Sequence, residues 1–200
     1  MILFLLCVVA YFLGSIPFGV IAGKLLHIDI QKVGSGNIGA ANAFRNLGAG
    51  AGTLVLIGDA LKGMIPLVIA KAVLAPDAPA RAFVLVGLCA ILGHIYSCFL
   101  KFDGGKGVAT TVGVFLFISW KATLSAFSLW GIVILITRFA SLASLTASFA
   151  LPFFMRIFRE DVAYVIFSFC VFFLILYKHR SNVRRLLAGT ETRFTFGRER

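Results

Sequence analysis

Apolar residues run through this chain in long stretches that polar segments interrupt at uneven intervals. Seven stretches stand out, at roughly 2–23, 48–74, 82–100, 108–120, 122–137, 139–155 and 161–177. None alternates between apolar and polar positions, so the pattern predicts helices rather than the strands of a closed barrel. Crossing a hydrocarbon core of about 30 Å takes about 20 helical residues. Several runs are shorter, so they must borrow flanking residues or form half-buried helices. The run at 122–137 meets each of its neighbours with hardly any loop. The prediction is an all-α integral membrane protein of about seven transmembrane helices, some of them short.

Composition supports this class. The chain is 60% hydrophobic, with 21 Phe among 200 residues, which does not fit a soluble globule. We read residues 1–200 as one polytopic membrane domain with a basic tail at about 178–200. Seven spans place the two ends on opposite sides. The basic residues favour the topology with the N-terminus outside and the C-terminus cytoplasmic, and much of that bias comes from the tail. The four cysteines show no CxxC or Cys/His ligand spacing and read as small buried apolar residues.

The polar segments sharpen the picture. "GSGNIGAANAFRNLG" (34–48), "GHIYSCFLKFDGGKGVAT" (93–110), "TRFASLASLTAS" (137–148) and "YKHRSNVRRLLAGTE" (177–191) all fall at inner ends of the spans. The outer connections, "APDAPA" (75–80) and "FRED" (158–161), are ordinary short turns. Four unusual segments on one face predict a single site there.

The first segment contains G-x-G-x-x-G, with Asp59 at the distance a dinucleotide fingerprint would need. A membrane run follows instead of a soluble βαβ unit, so that reading is rejected. What remains is an anion cradle of Gly36 and its neighbours, with Ser35 and Asn37 as side-chain donors and Arg45 as a bidentate fork. "GGKG" is no Walker A loop, because Gly107 stands where Ser or Thr would bind magnesium. Gly104, Gly105 and Gly107 still lead Lys106 to a helix start, where unpaired N–H groups favour phosphate. His94, near the inner end of the preceding span, reads equally as a substrate contact or a buried histidine.

Asp59 and Lys62 lie three apart inside an apolar run, where charges are expensive, and they read as a structural ion pair. Ser141, Ser144 and Ser148 share one helical face. Ser141, at the helix start beside Arg138, is placed to cap the helix or bind an oxyanion, while the other two read as packing residues. His179 and Asn182 lie three apart just past the last span and offer neutral donors to a polyol phosphate. The basic residues beyond them read as a lipid-facing tail.

In their order, GSGNIGAANAFR, DALKG, GHxxxxFLxFxGGKGVAT, TRxxSLxS and HRxNxxRLLxGTE resemble the PlsY-type family of bacterial acyltransferases. The likeness runs from "GSIPFG" (14–19) to Glu191. Ala41, Ser97, Ala140 and Ala143 depart from the residues common there, which concerns local loop shape. The resemblance implies a seven-span enzyme of the cell inner membrane, its active site facing the cytoplasm. It would transfer a fatty acyl group from acyl phosphate to glycerol 3-phosphate, giving 1-acyl-glycerol 3-phosphate for phospholipid synthesis.

The residues agree with that chemistry. A net charge of +11 and two Gly-rich cradles suit two phosphate-bearing substrates at a membrane surface. An activated donor leaves positioning and charge stabilisation as the main catalytic demands. Lys106, Ser141 and His179 are the catalytic candidates. Ser35, Gly36, Asn37, Arg45, His94, Gly104, Gly105, Gly107 and Asn182 are the candidates for substrate binding. Neither an acyl-enzyme nor a definite side-chain base is assigned. No cofactor, metal, nucleic acid or obligate protein partner is expected. A multispan transporter of an organic phosphate is the alternative; it would also need access from the outer face, where no polar cluster occurs.

Overall fold

A computed structural model describes residues 1–194, and every regular element among them is helical. The described residues divide into two compact units, 1–117 and 118–194.

The first apolar run is not one straight helix. α1 (Ile2–Ser15) ends before Pro17, and α2 (Phe18–Leu25) resumes after it. Proline lacks an N–H and pushes its predecessor out of the helical region; Ile16 accordingly has φ −57° and ψ 118°. The polar stretch that follows forms a short 3₁₀ turn (Ile30–Lys32) and then α3 (Ala40–Asn46). It folds over a small core of Ala22, Ile30, Ile38, Ala43 and Val55.

α4 (Ala49–Val73) and α5 (Ala80–Ile95) both pack on α1 and on each other. Polar contacts fasten α1 to the end of α5. Tyr11 donates its hydroxyl to the Tyr96 carbonyl at 2.7 Å, and Ser97 donates to the Ser15 carbonyl at 2.6 Å. α6 (Val108–Ile118) approaches α4 backbone to backbone. A Cβ on Gly63 would collide with the Thr110 carbonyl, and one on Gly113 with that of Ala60. Small residues permit this spacing between membrane helices.

In the second unit α7 (Trp120–Thr137) starts directly after α6, with Ser119 Oγ accepting from the Ala122 N–H. α8 (Ala140–Ile157) packs between α7 and α9 (Val162–Lys178). Ser141, Ser144 and Ser148 are all buried, as the packing face requires. Ser144 accepts from Trp130 Nε1 at 3.2 Å. α10 (Arg180–Leu187) turns away from α9 by 62°.

Five helical stretches among the described residues are long and apolar enough to cross a membrane, or six with the bent α9–α10 pair counted as one. The expected seventh, α6, has 11 residues. At 1.5 Å per residue it reaches roughly 16 Å, about half a hydrocarbon core. The last residues of the basic tail, 195–200, lie outside the described part.

Candidate functional site

The Gly34–Gly39 segment is held by a residue outside the expected site set. Asn42, buried on α3, accepts from the Ser35 N–H at 3.0 Å and from Asn46 Nδ2 at 2.9 Å. Its own amide donates to the carbonyls of Ile30 and Val33 at 3.2 and 3.1 Å. The loop amides are thereby committed within the fold. Gly36, at φ +69°, donates to the Val33 carbonyl, and Asn37 Oδ1 accepts from the Gly39 N–H at the start of α3. The expected main-chain cradle is thus partly closed, which leaves side chains as the main candidates for an anion contact. Ser35 Oγ accepts from Asn37 N at 3.5 Å. Arg45 Nε donates to the Ala41 carbonyl at 3.1 Å, which fixes the direction of the guanidinium arm.

The second glycine loop shows the same economy. Gly104 and Gly105 donate to the carbonyls of Ile95 and His94, both at 3.1 Å, and close the loop onto the end of α5. These two amides are therefore unavailable to a ligand. Gly107, at φ +85°, leads into α6, and its carbonyl accepts the first helical bond from Thr111. Lys106 lies between them, half-buried beside the start of that helix. A helix start supports an anion, and a lysine there adds a full charge.

His94 is 3% exposed. Its ring has Asp59 on one side and Gly105 on the other, where a Cβ would collide with Nε2. The Nδ1 to Asp59 Oδ1 separation is 3.6 Å, too long for a direct hydrogen bond. As placed, the ring shapes the glycine loop. Asp59 and Lys62 form the expected buried pair, with Oδ1 and Nζ 2.8 Å apart.

The second unit brings Ser141 and Asn182 together through a third residue, and His179 stands at the junction of α9 and α10. His179 caps α9, and its Nδ1 lies 2.9 Å from the Ile175 carbonyl. A carbonyl only accepts, so Nδ1 carries a proton; in a neutral ring Nε2 would then be the acceptor. Ser141 does not cap α8, whose first turn has no side-chain cap. Its hydroxyl instead donates to Glu191 Oε1 at 2.7 Å. Asn182 Nδ2 donates to the same oxygen at 2.7 Å, and Arg185 Nε to Oε2 at 2.7 Å. Burial pushes the Glu191 carboxyl up, but the hydrogen bonds from Asn182, Ser141 and Arg185, with the Arg185 charge, outweigh it and leave the pKa below the ordinary value. Glu191 reaches this place because the chain returns after α10, and the Phe194 N–H bonds the Arg138 carbonyl just ahead of α8.

The family model described as glycerol-3-phosphate acyltransferase matches residues 4–189. The chain belongs to that family.

A glycerol-3-phosphate acyltransferase of Geotalea daltonii is 45% identical over 185 residues, covering 92% of this chain and 94% of the relative. That of Aquifex aeolicus is 42% identical over 189 residues, covering 94% and 97%. Among solved structures, PlsY, an integral membrane glycerol 3-phosphate acyltransferase, matches in its glycerol 3-phosphate form. The TM-score is 0.91 at 40% identity, covering 98% of this chain and 96% of that one. Its lysophosphatidic acid form matches with a TM-score of 0.90.

Two residues that organise the family's segments in this chain were missed by sequence reasoning. Asn42 looks like an ordinary polar residue on a short helix. Glu191 is visible only as the end of a resembling segment. A weak signal existed for each: a buried amide suits a turn-rich stretch, and an acidic residue in a strongly basic tail needs partners.

Proposed function

We propose that this acyltransferase moves a fatty acyl group from acyl phosphate to the sn-1 hydroxyl of glycerol 3-phosphate at the cytoplasmic face of the inner membrane. Membership of the family, with relatives similar over nearly their whole length, is the observation that carries this reading.

In the first unit Ser35, Asn37, Arg45 and Lys106 bind phosphate oxygens, with Arg45 and Lys106 supplying charge. Gly36, Gly104, Gly105 and Gly107 let the backbone take the shape that presents those side chains, and His94 supports the second loop. In the second unit Ser141, His179 and Asn182 contact the polyol. The C1 hydroxyl oxygen of glycerol 3-phosphate attacks the acyl carbonyl carbon. The bond from that carbon to the phosphate oxygen breaks, and 1-acyl-glycerol 3-phosphate and inorganic phosphate leave. The hydroxyl proton goes to the departing phosphate; no acyl-enzyme forms. His179 Nε2, an acceptor in the neutral ring, is the other place the proton can go.

Seven membrane segments, with the N-terminus outside and the C-terminus cytoplasmic, accompany this reading. Single cysteines at 35, 106, 141 and 182 in a cysteine-free background should label from the cytoplasmic side, and one at 77 from outside. The function itself is tested with detergent-solubilised protein, palmitoyl phosphate and labelled glycerol 3-phosphate. Lysophosphatidate should form, and a well-folded preparation that makes none would overturn the proposal.

A further inference from the structure

The Glu191 carboxylate meets Ser141, Asn182 and Arg185, and all three contacts measure 2.7 Å. Its side chain is 6% exposed, so these groups rather than water satisfy it. An ionised carboxylate only accepts hydrogen bonds. The Ser141 hydroxyl therefore spends its single proton on Glu191 Oε1, and what it has left is lone pairs. Asn182 likewise commits one of its two amide hydrogens to the same oxygen.

This arrangement reverses the role that a serine near a phosphate site would ordinarily take. A phosphate at neutral pH offers acceptors, and a serine whose proton is already committed has nothing to give it. A hydroxyl group offers a donor, which such a serine matches. We infer that Glu191 is a positioning residue that turns Ser141 into a hydrogen-bond acceptor for a hydroxyl of the polyol substrate, making Ser141 a specificity-determining contact for glycerol rather than for phosphate. The inference rests on the glycerol 3-phosphate reading above and adds the sense of one hydrogen bond to it.

Propyl phosphate carries the same phosphate on three carbons but no hydroxyl, so it separates the two roles. Dissociation constants of glycerol 3-phosphate and propyl phosphate are measured by titration calorimetry on the full-length detergent-solubilised protein. Ser141→Ala should weaken glycerol 3-phosphate roughly threefold to tenfold, the net worth of one neutral hydrogen bond, and leave propyl phosphate within about twofold. Glu191→Ala removes the acceptor and frees the Ser141 proton, so it should weaken the same preference. Combining the two changes should then add little. Equal weakening of both ligands by Ser141→Ala, greater weakening of propyl phosphate, or no weakening of either would overturn the inference. Ser141→Ala removes one oxygen and decides the matter even if Glu191→Ala fails to fold. Wild-type protein that binds neither ligand would sink the acyltransferase reading and the inference with it; a wild type that binds glycerol 3-phosphate without the selective loss sinks the inference alone.

Discussion

Lys62 Nζ donates to the Ile16 carbonyl at 2.6 Å, across 46 residues of chain. The break at Pro17 opens the first membrane helix and leaves carbonyl groups without their helical partners. Hydrocarbon offers no water to satisfy them. Lys62 fills that need, and Asp59, 2.8 Å from Nζ, balances its charge. A pair that sequence alone reads as an ion pair within one helix thus also closes a gap in another.

Removing half of this arrangement should be costly. Lys62→Met leaves the Asp59 carboxylate buried without its cation, a loss of about 3–5 kcal/mol. The midpoint of thermal unfolding in detergent should fall sharply. The double variant Asp59→Asn/Lys62→Met should recover part of the loss, since no unpaired charge remains. A double variant less stable than the single one would argue against this account.

Lys106 should matter through its charge. A charge-assisted contact is worth about 1.5–3 kcal/mol, and each 1.36 kcal/mol is a factor of ten. Lys106→Ala should therefore lower kcat/KM at least about tenfold with little change in thermal stability. Activity within a factor of about two of wild type would exclude a phosphate contact at this position.

The proton offers a separate test. If the departing phosphate accepts it, His179→Gln and His94→Gln should both retain measurable turnover, because glutamine keeps a hydrogen bond but cannot titrate. A His179→Gln enzyme that binds glycerol 3-phosphate normally yet stays inactive at every accessible pH would make His179 the base.

Stability should respond to acid through Glu191. Its folded pKa lies below the ordinary 4.5, so the fold prefers the ionised form. That contribution is fully present above pH 4.5 and is lost as pH falls through the lower folded value. Unfolding temperatures measured downward from neutral pH should decline in that acid range. In Glu191→Gln the decline should be shallower, starting from a less stable protein; an unchanged acid limb would show that other carboxylates govern it.

Donor choice is the last expectation. Acyl phosphate should support long-chain transfer, whereas palmitoyl-CoA and acyl carrier protein thioesters should give none. Parallel assays with the three donors check this, and comparable turnover with palmitoyl-CoA would rule out an acyl-phosphate-specific enzyme.

The sequence by itself determined the all-helical membrane class and the family. Long uninterrupted apolar runs read as membrane helices, and the ordered Gly-rich segments carry the family likeness locally. The pairing of Asp59 with Lys62 was legible too, because residues three apart on a helix must be neighbours. Tertiary structure decided which donors remain for a ligand. The amide of Ser35 turned inward once Asn42 came within reach, and those of Gly104 and Gly105 once the end of α5 did. The Ser141 hydroxyl, expected to cap its helix or bind an oxyanion, was claimed by a carboxylate 50 residues away. A side chain's type is written in the sequence, but the partner that takes its proton is chosen only when distant segments meet.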